Sequence, residues 1–159
     1  MKSRLDLTQV SSGALNAMLG LEACIAKSGI ERPLMELVRM RASQINGCAY
    51  CLDMHSKDAR AAGETEQRLY ALDAWRETPF YSARERAALA WTEALTLLSS
   101  SGAPDEDYEE LAREFDPSEQ VALTLAIVAI NGWNRLGVGF RSPVGGYVSH
   151  LHPEPDDVR

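Results

Sequence analysis

Cys48 and Cys51 stand three positions apart and His55 follows four later, a spacing that puts two thiols and an imidazole on one stripe of an α-helix. Such a stripe permits both a disulfide and a proton transfer. A thiol attacks as thiolate, and free cysteine, with a pKa of about 8.5, is mostly protonated at neutral pH, so a reactive pair needs a device that lowers it. Cys48 falls at an expected helix start, where free N–H groups and the macrodipole favour negative charge. His55 lies one turn beyond Cys51 and is placed to accept its proton. The two devices favour different nucleophiles, and the sequence alone leaves both open. Cys51 ranks first, because a base removes a proton and returns it to a leaving group, whereas an exposed helix terminus only biases an equilibrium by about 0.3–1 kcal/mol. Peroxide attack at Cys51 would give a sulfenic acid, Cys48 would condense with it to a disulfide, and an external thiol would restore the pair.

Glu36 is a fourth candidate, with eleven residues between it and Cys48. A helical hairpin would fold it back over His55, where a carboxylate would orient the imidazole, stabilise its cation and relay protons from solvent. Counting from Leu37, Glu36 sits near the edge of the buried face.

The elements that must position these groups read as helices, since no stretch sustains the period-two alternation of a strand. The fold class expected is all-α. A first helix is predicted from about Ser12 to Lys27, turning Leu15, Met18, Leu19 and Ile25 inward, with Gly29 as its stop. Pro33 suits the first turn of a second helix, which carries Leu34, Leu37, Val38 and Ile45 on an apolar stripe. Asn46-Gly47 ends it. The central helix then starts at Cys48 and runs to a stop at Gly63, followed by a short helix over Glu66 to Leu72. Ser82 with Glu85 forms a capping-box pattern for a helix through Leu98, and Asp116 with Glu119 does the same before Val121 to Arg135. Pro104 to Phe115 reads as an acidic surface helix. The predicted organisation is one helical domain over 1–142, its core about 33–98, and a Pro/Gly-rich tail over 143–159 that either drapes over a neighbour or stays mobile.

Composition narrows the function classes. The chain has 159 residues, 45% apolar, which is enough for one buried core. Its 16 basic residues are scattered among 23 acidic ones for a net charge of −7, which argues against a nucleic-acid surface. The first residues lack the apolar core of a signal peptide, and the apolar run Val121 to Ile130 is about half the roughly 20 residues of a membrane span, so a cytoplasmic protein without a membrane partner is expected. Three cysteines do not make a disulfide framework. A catalytic pair plus one spare fits better.

Glu36, Cys48, Cys51 and His55, together with the stretch Arg41 to Cys51 and the later Asn131-Gly132-Trp133-Asn134-Arg135, resemble the AhpD-like alkyl hydroperoxidase branch of the carboxymuconolactone decarboxylase family. The resemblance is close from Leu34 to Leu98 and looser in the C-terminal helix. It implies an all-helical fold, assembly as a homo-oligomer (trimer or hexamer), and a thiol peroxidase or disulfide reductase activity on a hydroperoxide or a partner protein's disulfide, with a thiol reductant or redox partner as electron donor. It also implies that Cys51 forms the sulfenic acid, Cys48 resolves it, and His55 with Glu36 relays protons. Tyr50 stands where some members carry a histidine between the cysteines, which implies a shorter relay and a slower peroxidase. Decarboxylase members generally lack the cysteine pair, so decarboxylation is disfavoured.

Rival readings draw on the same residues. A zinc-binding or thiol-sensing module would use the cysteines as ligands, but structural zinc draws ligands from separate elements, while three of these four share one helical edge. A non-redox enzyme on the same scaffold would survive loss of both thiols. No cofactor and no metal are assigned. Cys24, among Leu21, Ala23 and Ile25, reads as a small buried hydrophobe. His150 and His152 read as an exposed pair in the tail, Tyr50 as a packing residue on the side away from Cys48 and His55. Trp133 and Arg135 are divided between closing the pocket or an intersubunit contact and being plain core and surface positions.

Overall fold

A computed structural model describes residues 2–150, and among them the regular structure is helical, with no strand. His152, Pro153 and Pro155 lie outside the described residues. The helices are α1 (Leu7–Val10), α2 (Ser12–Ile25), α3 (Arg32–Asn46), α4 (Ala49–Ala61), α5 (Glu66–Ala71), which runs into a 3-10 turn over Leu72–Glu77, α6 (Ala83–Thr96), α7 (Leu98–Ser101), α8 (Asp105–Glu114) and α9 (Pro117–Phe140).

Local chemistry sets most of these boundaries. Both anticipated capping boxes form, Ser82 with Glu85 at α6 and Asp116 with Glu119 at α9, each satisfying backbone donors that a helix start leaves free. Pro33 occupies the first turn of α3, where its missing N–H costs nothing. At the other end Gly47 adopts φ 64°, a left-handed conformation that glycine reaches without strain, and the Cys48 N–H donates to the Ser43 carbonyl at 3.1 Å. The chain therefore reverses within two residues, and α3 and α4 form a tight antiparallel hairpin.

α3 is the axis of the molecule, packed between α4, α6 and α9. Leu34 and Val38 join Trp91, Leu111, Phe115 and Ile127; Leu37 and Met40 join Leu69, Leu72, Trp75 and Leu89; Met35 joins Ile25 and Ala126. With large side chains each contributing roughly 1.5–3 kcal/mol on full burial, this three-sided enclosure holds α3 in place. The expected single stripe is thus too narrow: Met35, Glu36, Met40, Ala42 and Ser43 are buried as well, while Ile45 is only half-buried.

Other expectations need correction. Cys24 is exposed, and so is Leu19, because the inward face of α2 runs through Leu21 and Ile25. α2 ends at Ile25 rather than Lys27. The helix after Ser82 breaks at Leu97, which leaves helical geometry (φ −99°, ψ 29°) before α7 resumes. α9 runs five residues past Arg135, and at 24 residues it is long and apolar enough by length and composition to cross a membrane. The run Val121 to Ile130 is only part of it. Here α9 lays Leu123, Ala126, Ile127, Ala129, Ile130 and Asn134 into the interior.

Candidate functional site

Tight reversal at Gly47 decides which side chains meet. Cys48 becomes the N-cap of α4, its Sγ accepting the Cys51 N–H at 3.3 Å, and the two residues form a disulfide with Cα atoms 5.3 Å apart. One and two turns further along the stripe lie His55 and Asp58, both buried. Glu36, on the antiparallel partner helix, arrives opposite: its Oε2 lies 2.8 Å from His55 Nδ1. Far from being at an edge, Glu36 is 2% exposed.

A second helix pair locks the reversal. Asn46 Nδ2 donates to Asn131 Oδ1 at 3.0 Å and to Asn134 Oδ1 at 2.8 Å, and Asn134 Nδ2 donates to Ser43 Oγ at 3.0 Å. These amides tie α9 to the end of α3. Gly137 then passes so close to the bridge that a Cβ placed on it would lie 3.0 Å from Cys48 Sγ and 3.7 Å from Cys51 Sγ. Ala42 and Ile130 complete an apolar seat for the sulfurs, with Tyr50 and Trp133 packed against it.

Behind Glu36 runs a chain of charges. Arg39 Nη1 donates to Glu36 Oε1 at 2.7 Å, Arg39 Nη2 to Glu22 Oε2 at 2.8 Å, and Trp133 Nε1 to Glu22 Oε1 at 3.0 Å. Burial alone would raise the Glu36 carboxyl, but the hydrogen bond and charge of His55, together with Arg39, outweigh it and hold the group below its ordinary value. Glu36 is therefore an anion at neutral pH. An anion at that place orients the imidazole by its Nδ1 and leaves Nε2 for proton transfer.

These groups line one cavity of about 720 Å³. Cys51, His55 and Glu36 contribute to its wall, with Tyr50, Trp133 and Phe140 among its larger apolar surfaces, while Cys48 is set back from it. Tyr50 thus faces the site instead of packing away from it. The N-terminal segment supplies part of the wall: the Arg4 N–H donates to the Phe140 carbonyl at 2.9 Å and Arg4 Nη1 to the Gly139 carbonyl at 3.1 Å, which ties the segment to the end of α9 with Ser3, Leu5 and Leu7 lining the cavity. Arg135 is exposed, hydrogen-bonded to Asn131 at 2.7 Å, and is not part of this wall. His150 is exposed.

Arg39, Glu22, Asp58 and Gly137 went unnoticed in the sequence. Asp58 was within reach, since it continues the stripe of Cys48, Cys51 and His55 by one more step of three. Arg39 likewise stands three positions after Glu36. Glu22 and Gly137 carry no local signal. As for metals, Glu36, His55 and Asp58 each offer a ligand atom, all within 4.8 Å of one another, a group that excludes both cysteines. In the bridged form the sulfurs have no thiolate to offer zinc.

A sequence model of the carboxymuconolactone decarboxylase family matches residues 14–94. The Bacillus subtilis protein YdfG is 43% identical over 138 residues, covering 87% of this chain and 94% of its own. Among solved structures, an Agrobacterium tumefaciens protein of unknown function, described as an AhpD-type candidate for antioxidant defence, superposes with a TM-score of 0.88 at 43% identity, covering 92% of this chain and all of that one. The debrominase Bmp8 superposes with a TM-score of 0.74 at 26% identity over 82% of this chain and 70% of its own, and its cysteine-to-alanine variant was crystallised with 2,3,4-tribromopyrrole.

Proposed function

We propose that this chain, which belongs to the carboxymuconolactone decarboxylase family, is a thiol-dependent oxidoreductase of the AhpD-like branch that reduces organic hydroperoxides or a redox partner's disulfide. The observation that carries this reading is that Cys51, bridged to Cys48, lines the same cavity as the His55–Glu36 pair.

In the reduced protein, His55 takes the Cys51 proton and the Glu36 anion stabilises the resulting imidazolium. The thiolate attacks the outer oxygen of the hydroperoxide: an S–O bond forms, the O–O bond breaks, and the alkoxide leaves as an alcohol with the proton from His55. Cys48 then attacks the sulfenic sulfur, the S–S bond forms, the S–O bond breaks, and water departs. Two electrons pass from the dithiol to the peroxide, and an external thiol or partner protein returns them. A cytoplasm kept reducing would supply that donor. The role of nucleophile falls to Cys51 because it faces the cavity, and that of resolving thiol to Cys48 because it is set back. A cavity of about 720 Å³ is far larger than hydrogen peroxide needs, which favours bulky organic hydroperoxides. Exposed Val121 and Val128, seven residues apart on one face of α9, are consistent with the proposed homo-oligomer.

The aromatic wall of Tyr50, Trp133 and Phe140 favours a second reading, prompted by the likeness to Bmp8. The same dithiol would replace an aryl bromine by hydrogen, releasing bromide and closing to the disulfide.

Thiol titration before and after one equivalent of cumene hydroperoxide tests the first reading. Two thiols should disappear with formation of the Cys48–Cys51 bridge; Cys51→Ser should abolish consumption and Cys48→Ser should leave a sulfenic acid that dimedone labels. Hydroperoxide consumption undiminished in Cys51→Ser would refute the assignment.

A further inference from the structure

The C-terminal segment after α9 is neither helix nor strand, yet it is held along α4 at three points. The Gly145 N–H donates to Asp53 Oδ2 at 3.2 Å, Lys57 Nζ donates to the Tyr147 carbonyl at 2.9 Å, and the Tyr147 hydroxyl donates to both Asp58 oxygens, at 2.9 and 3.0 Å. The last contact has a chemical meaning that the first two lack. Asp58 is buried and its carboxylate lies within 4.8 Å of both the His55 ring and the Glu36 carboxylate.

Glu36 has Arg39 and His55 as partners. Asp58, among the described residues, has no cationic side chain within ion-pair distance, and the donor that reaches its oxygens is the Tyr147 phenol. A buried carboxylate without a counter-ion is costly unless hydrogen bonds hold it and a positive charge sits nearby. The phenol supplies the first. The imidazolium that forms when Cys51 loses its proton supplies the second.

We infer that Asp58 and Tyr147 are positioning residues of the reaction centre: Asp58 stabilises the imidazolium of His55, and Tyr147, delivered by the C-terminal segment, holds Asp58 in place to do so. This rests on the proposed thiol chemistry and extends it to a second carboxylate and to a tail residue. The other titratable and charged groups on the cavity wall are Glu36 and Arg39 from α3, with Glu22 of α2 behind them, Tyr50 on α4, Arg32 at the start of α3, and Asp6, which caps α1. None of these reaches the Asp58 oxygens. Burial, and then the hydrogen bond to Asp58, push the Tyr147 phenol up to about 12, so it remains a donor throughout the working range.

The test is the ultraviolet titration of the Cys51 thiolate in a Cys24→Ser/Cys48→Ser background, which needs no substrate. An opposite charge within about 4–6 Å moves a pKa by roughly 1–3 units. Asp58→Asn should therefore raise the apparent thiol midpoint by about one unit, close to a tenfold loss of thiolate near neutrality. Tyr147→Phe, which keeps the ring and removes the donor, should raise it by less. Because Tyr147 acts through Asp58, the double variant should match Asp58→Asn alone. An unmoved midpoint in Asp58→Asn, or fully additive shifts in the double variant, would overturn the inference. If peroxide turnover persists with an unmoved midpoint, the peroxidase reading stands and the role of Asp58 falls. If the wild type is inert to hydroperoxide, that reading fails, and the titration still decides the role of Asp58.

Discussion

Replacing Gly137 by alanine puts one methyl group against the disulfide, and its consequences differ between the two redox forms. Gly137 lies inside α9, so the substitution alone should favour the helix by about 1 kcal/mol. Against this, the new Cβ would meet Cys48 Sγ at 3.0 Å, well inside the ordinary contact distance. In the oxidised protein that sulfur is fixed twice, by the bridge to Cys51 and by the hydrogen bond from the Cys51 N–H, so it yields only by moving the start of α4. Overpacking of this kind costs about 1–3 kcal/mol. In the reduced protein the bridge no longer anchors the Cys48 sulfur, which can turn away at the expense of its weak cap hydrogen bond, and most of the cost disappears. The oxidised form should lose up to about 2 kcal/mol net while the reduced form gains about 1. The difference, about 1–3 kcal/mol, makes the pair easier to reduce by roughly 20–60 mV. Thermal melts of both forms and equilibration of the protein in graded dithiothreitol buffers measure the two quantities. Equal stabilisation of both forms with an unchanged potential would refute the argument that Gly137 is there to make room for the bridge.

Glu36→Gln removes the charge that faces both Arg39 and His55 and should cost roughly 3 kcal/mol or more, read by urea unfolding at neutral pH. The folded pKa of Glu36 lies below its ordinary 4.5, so its contribution is complete above that value and is lost as pH falls through the lower folded value; the acid limb of wild-type stability should therefore flatten in Glu36→Gln, and an identical limb would remove the anion from the account. For Tyr147 the sign is reversed: the protonated phenol is the stabilising form, so its contact is complete below its ordinary 10.0 and lost as pH rises toward about 12. Limited proteolysis of the tail should accelerate over that window in wild type and be faster below it in Tyr147→Phe, which loses one of the three contacts; a tail equally resistant in both would deny the contact. Cys24→Ser should change stability by less than about 0.5 kcal/mol, because the residue is exposed, and a thiol reagent should label Cys24 in the oxidised native protein. A loss of 2 kcal/mol would return Cys24 to the core.

How far the sequence reached depended on whether a feature was local. The capping boxes at Ser82 and Asp116, the stop at Gly47 and the stripe of Cys48, Cys51 and His55 are set by residues within a few positions of each other, and these are legible without coordinates. Glu36 was legible because the hairpin is short. Reading Cys24 as buried failed because apolar neighbours in sequence do not fix which face of a helix a residue takes; one step of about 100° separates it from Ile25. The sequence reading stops the last helix at Arg135, whereas α9 continues through Gly137 and Gly139 to Phe140. Only the sulfur seated beside Gly137 explains why a glycine is wanted there. Tyr147 and Asp58 are 89 positions apart, and no pattern along the chain connects them.

Ser3, Leu5, Asp6, Leu7 and Thr8 form part of the cavity wall, and their segment is tied through Arg4 to the last turn of α9. Any peptide fused just ahead of Ser3 would therefore load one wall of the chamber in which the chemistry is proposed to take place. Measurements of substrate preference belong on protein without such a fusion, and a deletion of residues 1–10 should be read as the loss of part of the chamber wall.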